Sequence, residues 1–309
     1  MVVNGLDHLE PAYRAIALKA DEERIAWIKA DRWIGFDQAQ QALDRLDALI
    51  AYPPRDRMPC LLLYGATGMG KTKILRKFER RHPPRYDQKS GVALRELVVV
   101  QTPPEPVEAD LYRELLAALG APALIGGALA REKDACRALL RASRARMIVL
   151  DEVNGMLAGT FRQQRIFLNA LRFLANDLKV ALVCAGTDLA RQALLSDAQL
   201  AERFEAFHLA AWRNDLALAR LLRAFGAILP LKKPSDLENP ALRGLVFDMT
   251  DGVTARIFRL IETVAERAIL SGKERIDAES FADRAMTLPL VAMTRSLERR
   301  GGAGHAIRF

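Results

Sequence analysis

Cysteine and histidine are scarce in this chain of 309 residues, which has Cys60, Cys136 and Cys184 and four scattered histidines, His8, His82, His208 and His305. No C-x-x-C pair occurs, so neither a disulfide framework nor a metal cluster is expected. Long apolar runs are missing too, and the opening MVVNGLDHLEP lacks a basic stretch followed by an apolar one. The expectation is a cytoplasmic protein with no membrane partner. There is no internal repeat and no long low-complexity stretch. Half of the residues are apolar, enough to bury a full core in one large domain or in a large and a small one.

Against these absences one segment stands out. Residues 60–72 read CLLLYGATGMGKT, an apolar run of strand length followed by Gly65, Ala66, Thr67, Gly68, Met69, Gly70, Lys71 and Thr72. The pattern is G-x-x-x-x-G-K-S/T between a strand and a helix, the setting in which such a loop cradles phosphates. Its glycines let backbone N–H groups wrap a polyphosphate, and the helix N-terminus adds a favourable field. Lys71 is placed to reach the β- and γ-phosphates and the Thr72 hydroxyl to bind Mg²⁺. The plainer alternative is a glycine turn in an ordinary βα unit.

The rest of the chain alternates strands and helices up to about residue 212. Buried strands are expected at ELVVVQT (96–102), MIVLDE (147–152) and VALVCAG (180–186), with helices at 107–119, 131–145 and 162–178 between them. Before the phosphate loop, Asp21 is placed to cap a helix through Trp33, and Asp37 to cap a second. Beyond residue 212 only helices are expected: one from Asn214 or Asp215, one from Pro240, one from Thr254 to Ser271 and one capped by Asp277. The fold class is α/β, a parallel sheet flanked by helices and followed by a small all-helical lid domain. The expected divisions are an N-terminal helical segment (1–52), the nucleotide-binding domain (53–212), the lid (213–288) and a flexible basic tail (289–309).

MIVLDE delivers Asp151 and Glu152 to a strand end, where an open parallel sheet places its ligand crevice. Asp151 suits the Mg²⁺ shell, and Glu152 suits the base that orients and deprotonates an attacking water, which implies hydrolysis. Alone, such acids are an ordinary surface pair at a strand exit. Thr187, at the next strand end, has two readings: a hydroxyl that senses the γ-phosphate or holds the water, or a turn residue and helix cap. Arg203 in LAERFEAFHL and Arg256 in DGVTARIFRLI suit transferring phosphoryl charge, or are surface ion-pair partners. Trp33 and Phe36 either wall an adenine or pack in the core.

The formal net charge is +8, which points to an anionic partner larger than a nucleotide. Lys133, Arg137, Arg141 and Arg144 follow at spacings of four, four and three and form one helical stripe, a candidate surface for duplex DNA. Residues 73–95, with eight Lys or Arg against Glu79 and Asp87, are the rival surface. Most such runs are solvated faces.

Through these motifs the chain resembles the AAA+ ATPases, and within them the TniB/TnsC group of transposition regulators. The similarity covers most of residues 30–280: RMPCLLLYGATGMGKTKI, LDEVNGMLAG, LNALRFLANDL, LVCAGTDLA, DAQLAERF and LPLKKPS. The resemblance implies an ATP-dependent homo-oligomer, ring or helical filament, on double-stranded DNA with little sequence specificity. It would recruit or activate a transposase, with a TniQ-like target-selection protein as a further partner. On that analogy Lys71 and Thr72 are the phosphate-loop pair, Asp151 and Glu152 the second motif, Thr187 the first sensor, Arg203 a finger acting in trans and Arg256 the second sensor. Gly252 and Arg256 are four apart where related proteins often have three, so Arg259 stays an alternative.

A helicase loader, or another ATP-dependent remodeller of a protein–DNA complex, is the competing function. A polypeptide-threading ring needs an aromatic-x-Gly loop where this chain reads QTPPEPVEAD, and a GTPase needs an N-K-x-D segment that the chain lacks.

Overall fold

A computed structural model describes residues 5–88, 91–121 and 128–282. The chain forms two compact units, residues 1–37 with 211–309, and residues 38–210. The expected tail at 289–309, the last residues of the lid, and Lys89 of the rival basic cluster lie outside the described residues.

The helical unit opens with α1 (Pro11–Ala17) and α2 (Asp21–Lys29). Asp21 is the first helical residue of α2 and not its cap, since Ala20 precedes it without a side-chain bond. The helix also stops short of Trp33: Ala30 turns extended, and the chain folds back so that the Arg32 guanidinium lies 3.3 Å from the centre of the Trp27 ring. Arg24 explains why these first helices join the C-terminal ones. Its fully buried guanidinium donates to the Pro230 carbonyl at 3.0 and 2.7 Å and to Glu274 Oε1 at 2.9 Å. Burial works against the charge, but the Glu274 carboxylate holds the Arg24 pKa above its usual value.

The α/β unit carries α3 (Asp37–Ile50), β1 (Cys60–Tyr64), α4 (Lys71–Arg81), β2 (Arg85–Asp87), β3 (Val92–Leu94), β4 (Leu97–Gln101), α5 (Glu108–Ala118), α6 (Leu129–Ala142), β5 (Met147–Asp151), α7 (Phe161–Leu178), β6 (Ala181–Gly186), α8 (Asp188–Leu195), α9 (Ala198–Ala201) and β7 (Phe204–His208). The boundary therefore falls at 37/38 where the sequence suggested 52. Asp47 of α3 meets Arg81 at 3.2 Å and Arg45 pairs with Glu205 of β7, so α3 belongs with the sheet.

Five strands form a parallel sheet in the order β4-β5-β6-β1-β7. Every residue of β6 is buried, as are the first four of β1 and β5, because helices cover both faces. Phe167, Leu168, Leu171 and Leu174 of α7 repeat at helical spacing and are all buried, each contributing about 1.5–3 kcal/mol. β2 and β3 pair antiparallel as a separate hairpin.

The C-terminal helices are α10 (Leu216–Ile228), capped by Asp215, α11 (Pro240–Thr250), capped by Asn239, and α12 (Thr254–Leu270). Of the expected last helix, the described residues include a 3₁₀ turn, Ala278–Phe281, opened by a capping box between Asp277 and Ser280. Among the described residues no helix is long and apolar enough to cross a membrane.

Candidate active site

The carboxyl ends of β1, β5 and β6 lie side by side, and each delivers part of the site. After β1 the loop bends through Gly68 and Gly70, whose φ values of 81° and 97° suit only glycine without strain. Gly70 is the N-cap of α4, so the amides of Lys71 and Thr72 stand at a helix N-terminus. Lys71 is buried, and its Nζ donates to the Gly65 and Ala66 carbonyls at 2.8 and 3.0 Å. An ammonium has three donors, so one stays available to a phosphate oxygen. Burial lowers the Lys71 pKa, with Glu152, Asp151 and Asp188 pulling the other way. A desolvated cation ringed by carbonyls and carboxylates, beside a glycine loop, fits a polyphosphate. Thr72, half-buried, and Asp151 supply the hard oxygens that suit Mg²⁺, an ion that keeps waters and phosphate oxygens as its other ligands.

At the end of β5 the backbone makes a sharp change. Asp151 Oδ1 accepts from the Glu152 N–H at 2.9 Å, and Glu152 itself is left-handed at φ 56° and ψ 42°. For a non-glycine residue this conformation costs of order 1–3 kcal/mol and recurs at functional sites. It turns the chain into a 3₁₀ segment, Val153–Leu157, which returns Asn154 to the site. Asn154 Nδ2 donates to Glu152 Oε2 at 2.9 Å, while its Oδ1 accepts from the Thr187 N–H at 2.7 Å and the Thr187 hydroxyl at 2.9 Å. Thr187 also caps α8 by accepting from the Leu189 N–H at 3.4 Å, so the cap of the sequence reading is present. Asn154 went unnoticed in the sequence. The available signal was a polar side chain two positions past an acid pair. Thr102, whose N–H donates to the Asp151 carbonyl at 2.8 Å, was missed as well; its hydroxyl is buried with no partner.

Arg203 does not join this group within the chain. It directly precedes β7, and its carbonyl accepts from the Cys60 N–H at 2.8 Å, which places it at the amino end of the sheet. Its Nη1 donates to Asn176 Oδ1 at 2.5 Å. Arg203 lines a surface cavity of about 600 Å³ together with Arg55, Arg57 and Glu202. Arg256 and Arg259 belong to the helical unit, on α12, where Arg256 pairs with Asp251 at 2.7 Å and Arg259 is exposed. Phe36, in that unit, packs edge-on against Trp212 with centroids 5.2 Å apart.

The basic stripe is altered by its surroundings. α6 ends at Ala142, and Arg144 is left-handed at φ 56°, so it leaves the stripe. Lys133 meets Glu108 at 2.7 Å, and Asp177 of α7 takes Arg137 at 2.8 Å and Arg141 at 2.6 Å. Arg137 also lies over the Phe173 ring, 5.1 Å from its centre. On the rival surface Arg76, Arg80 and Arg85 are exposed and meet no acid among the described residues.

A family model described as "Bacterial TniB protein" matches residues 24–214, more than half of the chain. No curated protein is similar in sequence. Among solved structures, the chain is similar to the ORC2 protein of Aeropyrum pernix in ADPNP–ADP complexes, at TM-score 0.59 and 15% identity over 88% of this chain and 74% of that one. It is also similar to Cdc6p from Pyrobaculum aerophilum (TM-score 0.59, 16% identity, 86% and 71% covered) and to A. pernix ORC1 in complex with DNA (0.54, 17%, 90% and 69%). The fold is thus that of the AAA+ ATPases, with a helical C-terminal region.

Proposed function

The chain belongs to the bacterial TniB family, and from that premise we propose that it is an ATP-dependent regulator of DNA transposition. It binds and hydrolyses ATP with Mg²⁺, assembles as a homo-oligomer on duplex DNA with little sequence preference, and recruits or activates a transposase. A TniQ-like target-selection protein is the further partner. The observation that carries the reading is the meeting of Lys71, Thr72, Asp151, Glu152 and Thr187 at one edge of a parallel sheet.

In this reading Lys71 and the loop amides hold the β- and γ-phosphates, and Thr72 and Asp151 would hold Mg²⁺, which would supply charge neutralisation at the phosphate oxygens. Glu152 orients the attacking water and takes its proton as the bond from the γ-phosphorus to the bridging oxygen breaks, leaving ADP and phosphate. Thr187 stands beside them as the sensor. Arg203, at the opposite edge, serves the nucleotide of an adjacent copy, where a guanidinium stabilises the transferring charge. On the family analogy Arg256, or Arg259, is the second sensor.

Of the two basic surfaces, the one formed by Arg76, Arg80 and Arg85 suits DNA better. Lys133, Arg137 and Arg141 already face carboxylates, and a phosphate binding there has to displace them. The test is capture on duplex DNA with a non-hydrolysable ATP analogue and with ADP, offering a transposase or a replicative helicase. ATP-dependent retention of the transposase supports the proposal. Retention of the helicase instead moves the chain to the loader function.

A further inference from the structure

The bonds of Asn154 fix its amide without ambiguity. A backbone N–H is always a donor, so the atom facing the Thr187 N–H at 2.7 Å is the amide oxygen, and the nitrogen therefore faces the Glu152 carboxylate at 2.9 Å. The same oxygen takes the Thr187 hydroxyl at 2.9 Å. A threonine hydroxyl has one proton, so while it points at Asn154 it is not a donor to anything else. The fit is also steric. Gly186 precedes Thr187, and a Cβ there would stand 2.8 Å from Asn154 Oδ1 and 2.6 Å from the Ala190 Cβ. The end of β6 is thus shaped to receive this amide.

We propose that Asn154 is the positioning residue for Glu152, and that Thr187 acts through Asn154 and not by donating to the γ-phosphate itself. The inference rests on the ATPase reading above and adds a component to it. Two residues separate Asn154 from Asp151 in the chain, but the left-handed Glu152 and the 3₁₀ turn bring its amide between two strand ends. Glu152 is exposed, and without this bond its carboxylate has rotamer freedom that a general base must lose before it meets a water in line with the phosphorus. Asn154 removes that freedom. A displacement at the end of β6 then reaches Glu152 through one side chain.

The experiment uses the full chain with Asn154→Ala, Asn154→Asp, Thr187→Val and Thr187→Ser. It measures ATP turnover, affinity for a fluorescent ATP analogue, and amide hydrogen exchange at Thr187 without nucleotide. Asn154→Asp keeps an oxygen for the Thr187 N–H but faces Glu152 with an acceptor where a donor stood. It should preserve slow exchange and nucleotide affinity while kcat falls about a hundredfold, the loss typical of a misplaced reacting group. Asn154→Ala should lose the same activity and also exchange faster at Thr187. Thr187→Ser, which keeps the hydroxyl, should lose less than Thr187→Val, and Thr187→Val, which keeps the backbone donor, should lose less than Asn154→Asp. An Asn154→Asp protein with the wild-type kcat overturns the proposal. So does a Thr187→Val protein more impaired than Asn154→Asp, which would give the phosphate bond to Thr187. A wild type that binds ATP without turning it over overturns the ATPase reading itself and this inference with it.

Discussion

The two edges of the parallel sheet are built from the same five strands and carry opposite halves of the proposed reaction. The carboxyl edge gathers Lys71, Asp151, Glu152, Asn154 and Thr187, while the amino edge holds Arg203 with Arg55 and Arg57 around one cavity. β1 has five residues, and a strand of that length spans about 17 Å. Arg203 is bound at one end of it and the phosphate loop leaves from the other, so one copy does not bring its own arginine to its own nucleotide. In the proposed assembly the arginine end of one copy meets the phosphate site of the next, a head-to-tail contact that generates rings if the rotation closes and filaments if it does not.

Breaking the carboxyl edge gives the largest effect. Glu152→Gln should bind ATP and Mg²⁺ as wild type does but lose about a thousandfold in kcat, whereas Lys71→Ala should lose ATP binding itself. A fluorescent nucleotide titration beside a phosphate-release assay separates the two. Equal turnover by Glu152→Gln and wild type removes Glu152 from the mechanism.

Breaking the amino edge should leave nucleotide affinity within about twofold and still lower kcat about a hundredfold or more, because the arginine meets charge that develops in the transition state. That is the expectation for Arg203→Ala. A weakened affinity with unchanged kcat would mean that Arg203 serves packing through Asn176.

DNA binding sharpens the comparison by asking whether a third surface works apart from both edges. Arg76→Ala/Arg85→Ala should lower the slope of log affinity against log salt by about two units per binding subunit, one for each phosphate no longer neutralised, whereas Arg137→Ala/Arg141→Ala changes it little. The smallest effect is a gain. Asp177→Asn frees Arg137 and Arg141 from the carboxylate they share and should raise the slope by about one unit if a duplex reaches α6. A large loss from the Arg137/Arg141 pair would return the DNA site to the stripe.

These two basic surfaces also show how much the sequence could say. Lys133, Arg137 and Arg141 do share a helical face, but the acid that holds two of them, Asp177, lies some forty positions away on α7, and no spacing rule links them. β1, β5 and β6 were legible because strands buried on both faces read as apolar runs. β7 was not, because an edge strand reading FEAFH has neither a run nor a clean alternation, and its Glu205 faces outward to Arg45. The phosphate loop and the acid pair were visible as local motifs. Asn154 was hidden because its partners, Glu152 and Thr187, come from different strand ends, and only the left-handed turn at Glu152 makes them neighbours.

The central claim, a reaction completed between copies, is tested most directly by mixing two inactive proteins. Arg203→Ala keeps a whole nucleotide site and lacks the arginine for its neighbour, while Glu152→Gln has a dead site but offers Arg203. In a random head-to-tail assembly of equal parts, a quarter of the sites pair an intact carboxyl edge with an intact amino edge, so ATPase activity should recover to about a quarter of wild type. Co-assembly of the two proteins on DNA with no recovery at any ratio would contradict the account.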